Sequence, residues 1–268
     1  MNPTTPATPM RRTLDLGGRR LSCLDFGGPG RPLLALHGLL DQGATWTHLA
    51  CELAPHWRVI APDQRGHGNS DRADDYTREG FVSDAAAVIE LLGTGPVPVV
   101  GHSLGGLNAL QLAAWHPEAV RALIIEDIPA ALTPGGAAEH LGFLERARHR
   151  ADTREELLAA LGPARPYFAD AARPSPAGGW ELPFHPQDAL LAEQFNEGDH
   201  WADWLASRCP ALLIHGTRSQ ILTSGQAERM AARRPATRRT ALDADHFVHA
   251  AVPDAFAREV SGFLACLD

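Results

Sequence analysis

A serine becomes a nucleophile only when a base takes its proton and a third group orients that base. Residues 101–106 read Gly-His-Ser-Leu-Gly-Gly, directly after the apolar run Val97-Pro98-Val99-Val100. Gly-x-Ser-x-Gly between a strand and a helix is the sequence form of a nucleophile elbow. Gly101 and Gly105 remove the side chains that would collide where strand and helix crowd together, which leaves Ser103 at the tip. The competing reading, a Gly-rich turn with a solvated serine, is weighed by what the rest of the chain supplies.

A base is offered near the end of the chain. Residues 241–251 read ALDADHFVHAA and carry His246 and His249. His246 closely follows the last predicted strand and is the expected base. His249 is read as a helix-entry or surface residue. For the acid, Ile124-Ile125-Glu126-Asp127-Ile128-Pro129 ends a strand predicted to lie beside the one bearing Ser103. Strand side chains alternate, so Glu126 faces away from Asp127, and Asp127 is the expected orienter. The rival readings are a turn-capping role for Asp127, or an acid at Asp243 or Asp245.

An oxyanion needs donors already aimed at it. One is the backbone N–H of Leu104, at a helix N-terminus where the dipole helps. The second is expected from Leu39, in His37-Gly38-Leu39-Leu40, where Gly38 permits an unusual turn. His37 is read as a structural hydrogen-bonder and His102 as packing or a polar wall. Gly38, His102, Trp201 and Trp204 are the expected pocket residues. Asp63–Ser70 (DQRGHGNS) lacks the endings and spacing of a phosphate loop and is read as a turn that braces the site.

These residues must be held by strands and helices in alternation. Arg12–Leu16 and Leu21–Phe26, joined by Gly17-Gly18, predict a hairpin. Pro32–Leu36, Arg58–Ala61, Val97–Val100, Ala122–Glu126, Ala211–Ile214 and Arg238–Leu242 read as buried strands. Trp46–Leu53, Glu79–Leu92, Leu104–His116, Ser224–Arg233 and Asp254–Leu267 read as helices. The alternation predicts an α/β fold, a mostly parallel sheet with helices on both faces. Residues 129–208 break the rhythm and hold three of the six tryptophans, Trp180, Trp201 and Trp204, with Tyr167, Phe143, Phe168, Phe184 and Phe195. They are read as a mainly helical lid (cap) inserted into a core of residues 12–128 and 209–268, roofing the site with aromatic side chains.

The 268 residues carry 24 Lys plus Arg against 32 Asp plus Glu, a net charge of −8, which gives no footprint for nucleic acid or an anionic membrane. The pairs Arg233-Arg234 and Arg238-Arg239 read as a solvated face. Four scattered cysteines, Cys23, Cys51, Cys209 and Cys266, read as buried free thiols and point to a reducing, cytoplasmic setting. Residues 1–11, rich in Pro and Thr with no apolar stretch, read as a disordered leader rather than a secretory signal. The oligomeric state, monomer or homodimer, is left open.

Taken in order, His37-Gly38, Asp63–Ser70, Gly101–Gly106, Ile124–Pro129 and His246 followed by Pro253 resemble the α/β-hydrolase fold family. The likeness runs from Pro32 to the C-terminus. It implies an eight-stranded sheet, a Ser-His-acid triad and no cofactor or metal. Much of the family has its acid where this chain has Ser219. A subgroup of esterases and thioesterases carries it one strand earlier, in a segment similar to Glu126-Asp127-Ile128-Pro129. The expected function is hydrolysis of small to medium carboxylic esters through Ser103, His246 and Asp127. A thioesterase, a lactonase, cleavage of activated C–C bonds or a cofactor-free haloperoxidase-like perhydrolase would use the same residues, and a non-catalytic ligand receptor would keep only the pocket.

Overall fold

The structure, a computed structural model, describes residues 9–136, 141–162 and 165–267. Its described residues form an eight-stranded sheet of β1 (Met10–Asp15), β2 (Arg20–Asp25), β3 (Arg31–Leu36), β4 (Trp57–Pro62), β5 (Val97–His102), β6 (Val120–Glu126), β7 (Ala211–Gly216) and β8 (Thr237–Leu242). The spatial order is β1-β2-β4-β3-β5-β6-β7-β8. The β1–β2 hairpin is antiparallel, as is β2 on β4, and the remaining pairs are parallel. Of the expected 1–11 leader, residues 1–8 lie outside the described residues, and Met10 and Arg11 already pair in β1.

The inner strands β3 to β7 are largely buried on both faces because they are apolar on both sides. Leu34, Leu36, Val99, Leu123, Ile125 and Leu213 point into one core. That core is closed by α2 (Arg78–Leu92), α3 (Leu104–Trp115), α5 (Trp201–Ala206) and α6 (Ser224–Arg233). Their strand neighbours Leu33, Ala35, Val100, Ala122, Ile124 and Leu212 point into the other, closed by α1 (Thr47–Leu53) and α7 (Pro253–Leu264). Local signals set the helix starts. Thr77 caps α2, a Thr223–Gln226 capping box opens α6, and Pro253 occupies the first turn of α7.

Three expectations need correcting. β8 is not a buried strand; as the sheet's edge it is made of half-buried and exposed residues, and Arg238 and Arg239 pair with Glu259 and Glu228 on flanking helices. Arg234 does not belong to a solvated face. It is buried, and its guanidinium donates to the Trp204 and Cys209 carbonyls and to Ser207 Oγ. Cys51 and Cys266 are exposed rather than buried, and all four cysteines are free.

Between β6 and β7 the described residues form two-residue strands and short helices, the longest of these being α4 (Pro186–Asn196). This segment has its own apolar cluster, built on Leu144, Leu157, Leu158, Leu161, Phe168 and Phe184. Among the described residues no helix is long and apolar enough to cross a membrane.

Candidate active site

Ser103 follows β5 and opens α3 with φ +50° and ψ −116°, a conformation that L residues rarely adopt. The turn is possible only with glycines around it. A Cβ on Gly101 would strike the Gly105 carbonyl, and one on Gly105 would strike the carbonyls of Leu36 and His37. Ser103 N–H donates to the Glu126 carbonyl at 3.0 Å, and its own carbonyl accepts from Leu107 N–H at 2.9 Å. The elbow is therefore tied to both β6 and α3.

β6 delivers the carboxylate. Its pairing with β7 continues past the strand, Asp127 N–H donating to the Ile214 carbonyl at 2.9 Å, and Asp127 then turns with φ +51°. Asp127 is fully buried. Its Oδ2 accepts from His246 Nδ1 at 2.7 Å and also from the Ser219 hydroxyl, while Oδ1 accepts from Gly216 N–H at 2.9 Å. The expected pairing of Asp127 with His246 is thus present. The turn-capping alternative does not describe these contacts. Asp243 instead pairs with Arg218, and Asp245 accepts from Phe247 N–H. Ser219, at the position where the family resemblance puts an acid, spends its hydroxyl on the acid from the neighbouring strand.

The His246 side chain is one-fifth exposed. The ring centroid of His102 lies 4.6 Å from it, and His102 Nε2–H donates to the His246 carbonyl at 3.0 Å. Burial, with His246 and His249 nearby, pushes the His102 pKa far down, so the ring is neutral and its single proton sits on Nε2. His102 is 1% exposed, which corrects its reading as a pocket wall: it lies behind the site. His249 is corrected too. It is buried rather than a surface residue, and its ring and backbone N–H both meet Glu126. His102, Glu126 and His249 offer ligand-type atoms within 4.8 Å of one another, but the Glu126 carboxylate and the His249 ring are already committed to each other and to Thr45.

Gly38 lies directly against the elbow; a Cβ there would sit 2.5 Å from His102 Nδ1 and 3.5 Å from Ser103 Cβ. That brings the Leu39 segment beside the first turn of α3, whose leading N–H groups lack intrahelical partners. The approach is braced from β4. His37 Nε2 accepts from Gln64 N–H at 2.9 Å, and the Gln64 amide donates to the His37 carbonyl at 2.6 Å. His67 Nε2 accepts from Leu40 N–H at 3.2 Å, and the Asp63 carboxylate gathers Gly43 and Asn69 N–H groups. Burial and the neighbouring His67 bring the His37 pKa down to about 3, as befits a ring used as an acceptor. The brace expected of Asp63–Ser70 is therefore visible bond by bond.

The tryptophans named as pocket residues are elsewhere. Trp204 is fully buried, its Nε1–H donates to the Met230 carbonyl, and Arg234 lies 4.8 Å over its ring. Arg233 covers Trp201 at 4.1 Å. Both tryptophans fasten α5 to α6. Of the aromatic residues in the 129–208 segment, Phe168 reaches the His246 loop, 6.4 Å from Phe247, and lies 5.9 Å from Phe184, in one cluster with Leu39 and Leu40. Phe195 is exposed, and the Tyr167 side chain lies outside the described residues. A cavity of about 280 Å³ lined by Gly68, Asn69, Arg72, His149, Arg173 and His185 includes neither Ser103 nor His246.

The sequence reading missed the Glu126–His249 pair and the duty of Ser219. A signal for the first was present: two adjacent acids at 126 and 127, and two histidines three residues apart at 246 and 249.

Comparison with known proteins identifies the family. The chain is 45% identical over 105 residues to the lipase LipV of Mycobacterium tuberculosis, a match covering 39% of this chain and 40% of that one. It is 30% identical over 244 residues to a 3-hydroxybutyrate-oligomer hydrolase of Cupriavidus necator, covering 81% and 83%. The crystal structure of E-2-(acetamidomethylene)succinate hydrolase superposes with a TM-score of 0.83 at 25% identity, over 96% of this chain and all of the other. The family model of the alpha/beta hydrolase fold matches residues 31–250. The chain belongs to the α/β-hydrolase fold family.

Proposed function

We propose that the chain is a serine hydrolase that cleaves carboxylic esters of small to medium acyl groups. Ser103 Oγ attacks the acyl carbonyl while His246 Nε2 takes its proton. The carbonyl oxygen becomes an oxyanion, held by the backbone N–H groups of Leu39 and Leu104. Collapse of the tetrahedral species breaks the ester bond. The alcohol leaves with the proton from His246, and the acyl group stays on Ser103. A water molecule gives its proton to the same ring and attacks the acyl-enzyme. The carboxylic acid departs and Ser103 recovers its proton. Asp127 holds the imidazolium throughout and is not itself protonated. The scheme needs no cofactor.

The observation that carries this reading is the 2.7 Å contact between His246 Nδ1 and the buried Asp127 carboxylate. It makes Nδ1 the donor and keeps the lone pair on Nε2 for the serine. A pocket for binding alone needs no such pair. The apolar cluster of Leu39, Leu40, Phe168, Phe184 and Phe247 supports residues 129–208 as a lid that gives the acyl chain an apolar roof. The relatives named above include a lipase and a hydrolase of 3-hydroxybutyrate oligomers, which supports an ester as the bond cleaved. Four free cysteines support a reducing, cytoplasmic setting.

The test is turnover of p-nitrophenyl acetate and butyrate beside an acyl-thioester and a lactone, in wild type and Ser103→Ala. Ester turnover that disappears in Ser103→Ala is expected. A wild type without Ser103-dependent turnover of any of the four, yet with tight ligand binding, would return the fold to a receptor role.

A further inference from the structure

We propose that the buried pair Glu126–His249 is a positioning latch. It fixes the loop that carries His246 and, through that loop, sets the Asp127–His246 hydrogen bond. The inference rests on the reading of Ser103, His246 and Asp127 given above.

The latch is two-pronged and closely fitted. His249 backbone N–H donates to Glu126 Oε1 at 2.8 Å, and His249 Nδ1 lies 2.9 and 3.0 Å from the two carboxylate oxygens. On its far side, His249 Nε2 meets Thr45 Oγ1 at 2.8 Å. Burial alone would push this ring's pKa down; the Glu126 carboxylate overrides it and raises the pKa, with the Asp41 carboxylate of the loop after β3 adding to the effect. The ring therefore favours the charged form, with both nitrogens able to donate.

Only Phe247 and Val248 separate His246 from His249. Three residue steps span at most about 11 Å, so clamping one histidine leaves the other little freedom. His102 fills the space between them, its ring centroid 4.6 Å from His246 and 4.9 Å from His249, and it holds the loop again at the His246 carbonyl.

Glu126 also touches the other half of the site, because its carbonyl accepts from Ser103 N–H at 3.0 Å. One residue thus references both the nucleophile's backbone and the base's loop. The arrangement repeats at two strand ends. At β5, His102 holds the loop and the next residue, Ser103, faces the chemistry. At β6, Glu126 holds the loop and Asp127 faces the chemistry. Strand alternation puts consecutive side chains on opposite sides, so each pair divides the two duties.

Stability alone gives a poor account of this pair, since a buried ion pair gains little over well-packed apolar residues. Directional hydrogen bonds supply what apolar packing does not, a fixed register for the loop.

The experiment compares Glu126→Leu, Glu126→Gln and His249→Gln with wild type and Ser103→Ala. Each is measured for kcat and KM on p-nitrophenyl butyrate, for melting temperature, and for the far-downfield proton resonance of His246 Nδ1–H, assigned by its loss in His246→Gln. Glu126→Leu and His249→Gln are expected to lower kcat about 10- to 100-fold with KM within about threefold, and to broaden or abolish the resonance. Glu126→Gln keeps an acceptor for His249 and is expected to restore kcat to within about threefold of wild type. Folded Glu126→Leu and His249→Gln with wild-type kcat and an unchanged resonance would reduce the pair to a structural role and overturn the proposal. Where Glu126→Leu does not fold, the resonance in His249→Gln decides. A wild type lacking Ser103-dependent turnover would sink the hydrolase reading, while the resonance would still report on the latch.

Discussion

The ends of β6 and β7 lie side by side and contribute opposite things. β6 runs into Asp127, which brings the negative charge. β7 runs into Gly216 and Ser219, which bring donors: a backbone N–H at 2.9 Å and a hydroxyl, both directed at Asp127. In much of the family the acid stands after β7, and here that place is taken by the serine. The ring nitrogen of His246 requires a carboxylate at one point in space. Because Asp127 N–H is still paired to the Ile214 carbonyl, the two strand ends converge on that point. What the vacated end retains is the task of aiming the charge.

The most severe way to break the comparison is Asp127→Asn. The amide offers a donor where the ring needs an acceptor and selects the wrong tautomer. A fall in kcat of roughly 10⁴-fold is expected, with the protein still folded by circular dichroism. Full activity would mean that β6 does not supply the acid.

Acid titration probes the supports on the other side of the site. His37, His67 and His102 all have lowered pKa values through burial, His37 to about 3. Below an unfolded pKa of about 6.5 the unfolded chain takes up protons that the folded rings refuse, so stability falls as the pH drops, for His37 by at most about 1.4 kcal/mol per pH unit. The melting temperature is expected to decline steadily between pH 6.5 and 4.5, and a flat profile would show that these rings are not neutral supports. His249 acts in the opposite sense. Its raised pKa gives stability that is complete below about 6.5 and is lost as the pH rises through the folded value.

Moving the charge sharpens the comparison. A double variant with Asp127→Ser and Ser219→Asp exchanges the duties of the two ends. Recovery of about 10- to 100-fold over Asp127→Ser alone is expected in kcat, because the new carboxylate starts from a residue already bonded to the old one. No recovery would show that β7 cannot reach the ring. The smallest effect belongs to Ser219→Ala, which removes one hydrogen bond to Asp127. It is expected to lower kcat/KM about tenfold, the worth of about 1.4 kcal/mol, and an unchanged kcat/KM would leave Ser219 a bystander.

Legibility in the sequence followed the range of the forces involved. The eight strands and the elbow were readable because alternation, glycine spacing and helix caps are local. Asp127 and His246 stand out in the sequence because each follows a strand end, where direction is set by the backbone, and the structure brings the two together. The Glu126–His249 pair does not stand out, because the chemistry calls for one acid and one base, and each of the two neighbours then reads as an ordinary polar side chain. Trp201 and Trp204 misled for another reason. Composition marks them as apolar and bulky, but only tertiary packing tells that Arg233 and Arg234 cover them. β8 read as buried because Ala241 and Leu242 end it, whereas its place at the edge comes from sheet order.

Two of the residues assigned to chemistry, Ser103 and Asp127, hold positive φ angles without being glycine. Each such conformation costs on the order of 1–3 kcal/mol that the surrounding bonds must offset. Selection for durability alone would put glycine at both places. Ser103→Gly is therefore expected to melt at a higher temperature than wild type while losing all turnover, so the hydroxyl persists at the expense of robustness.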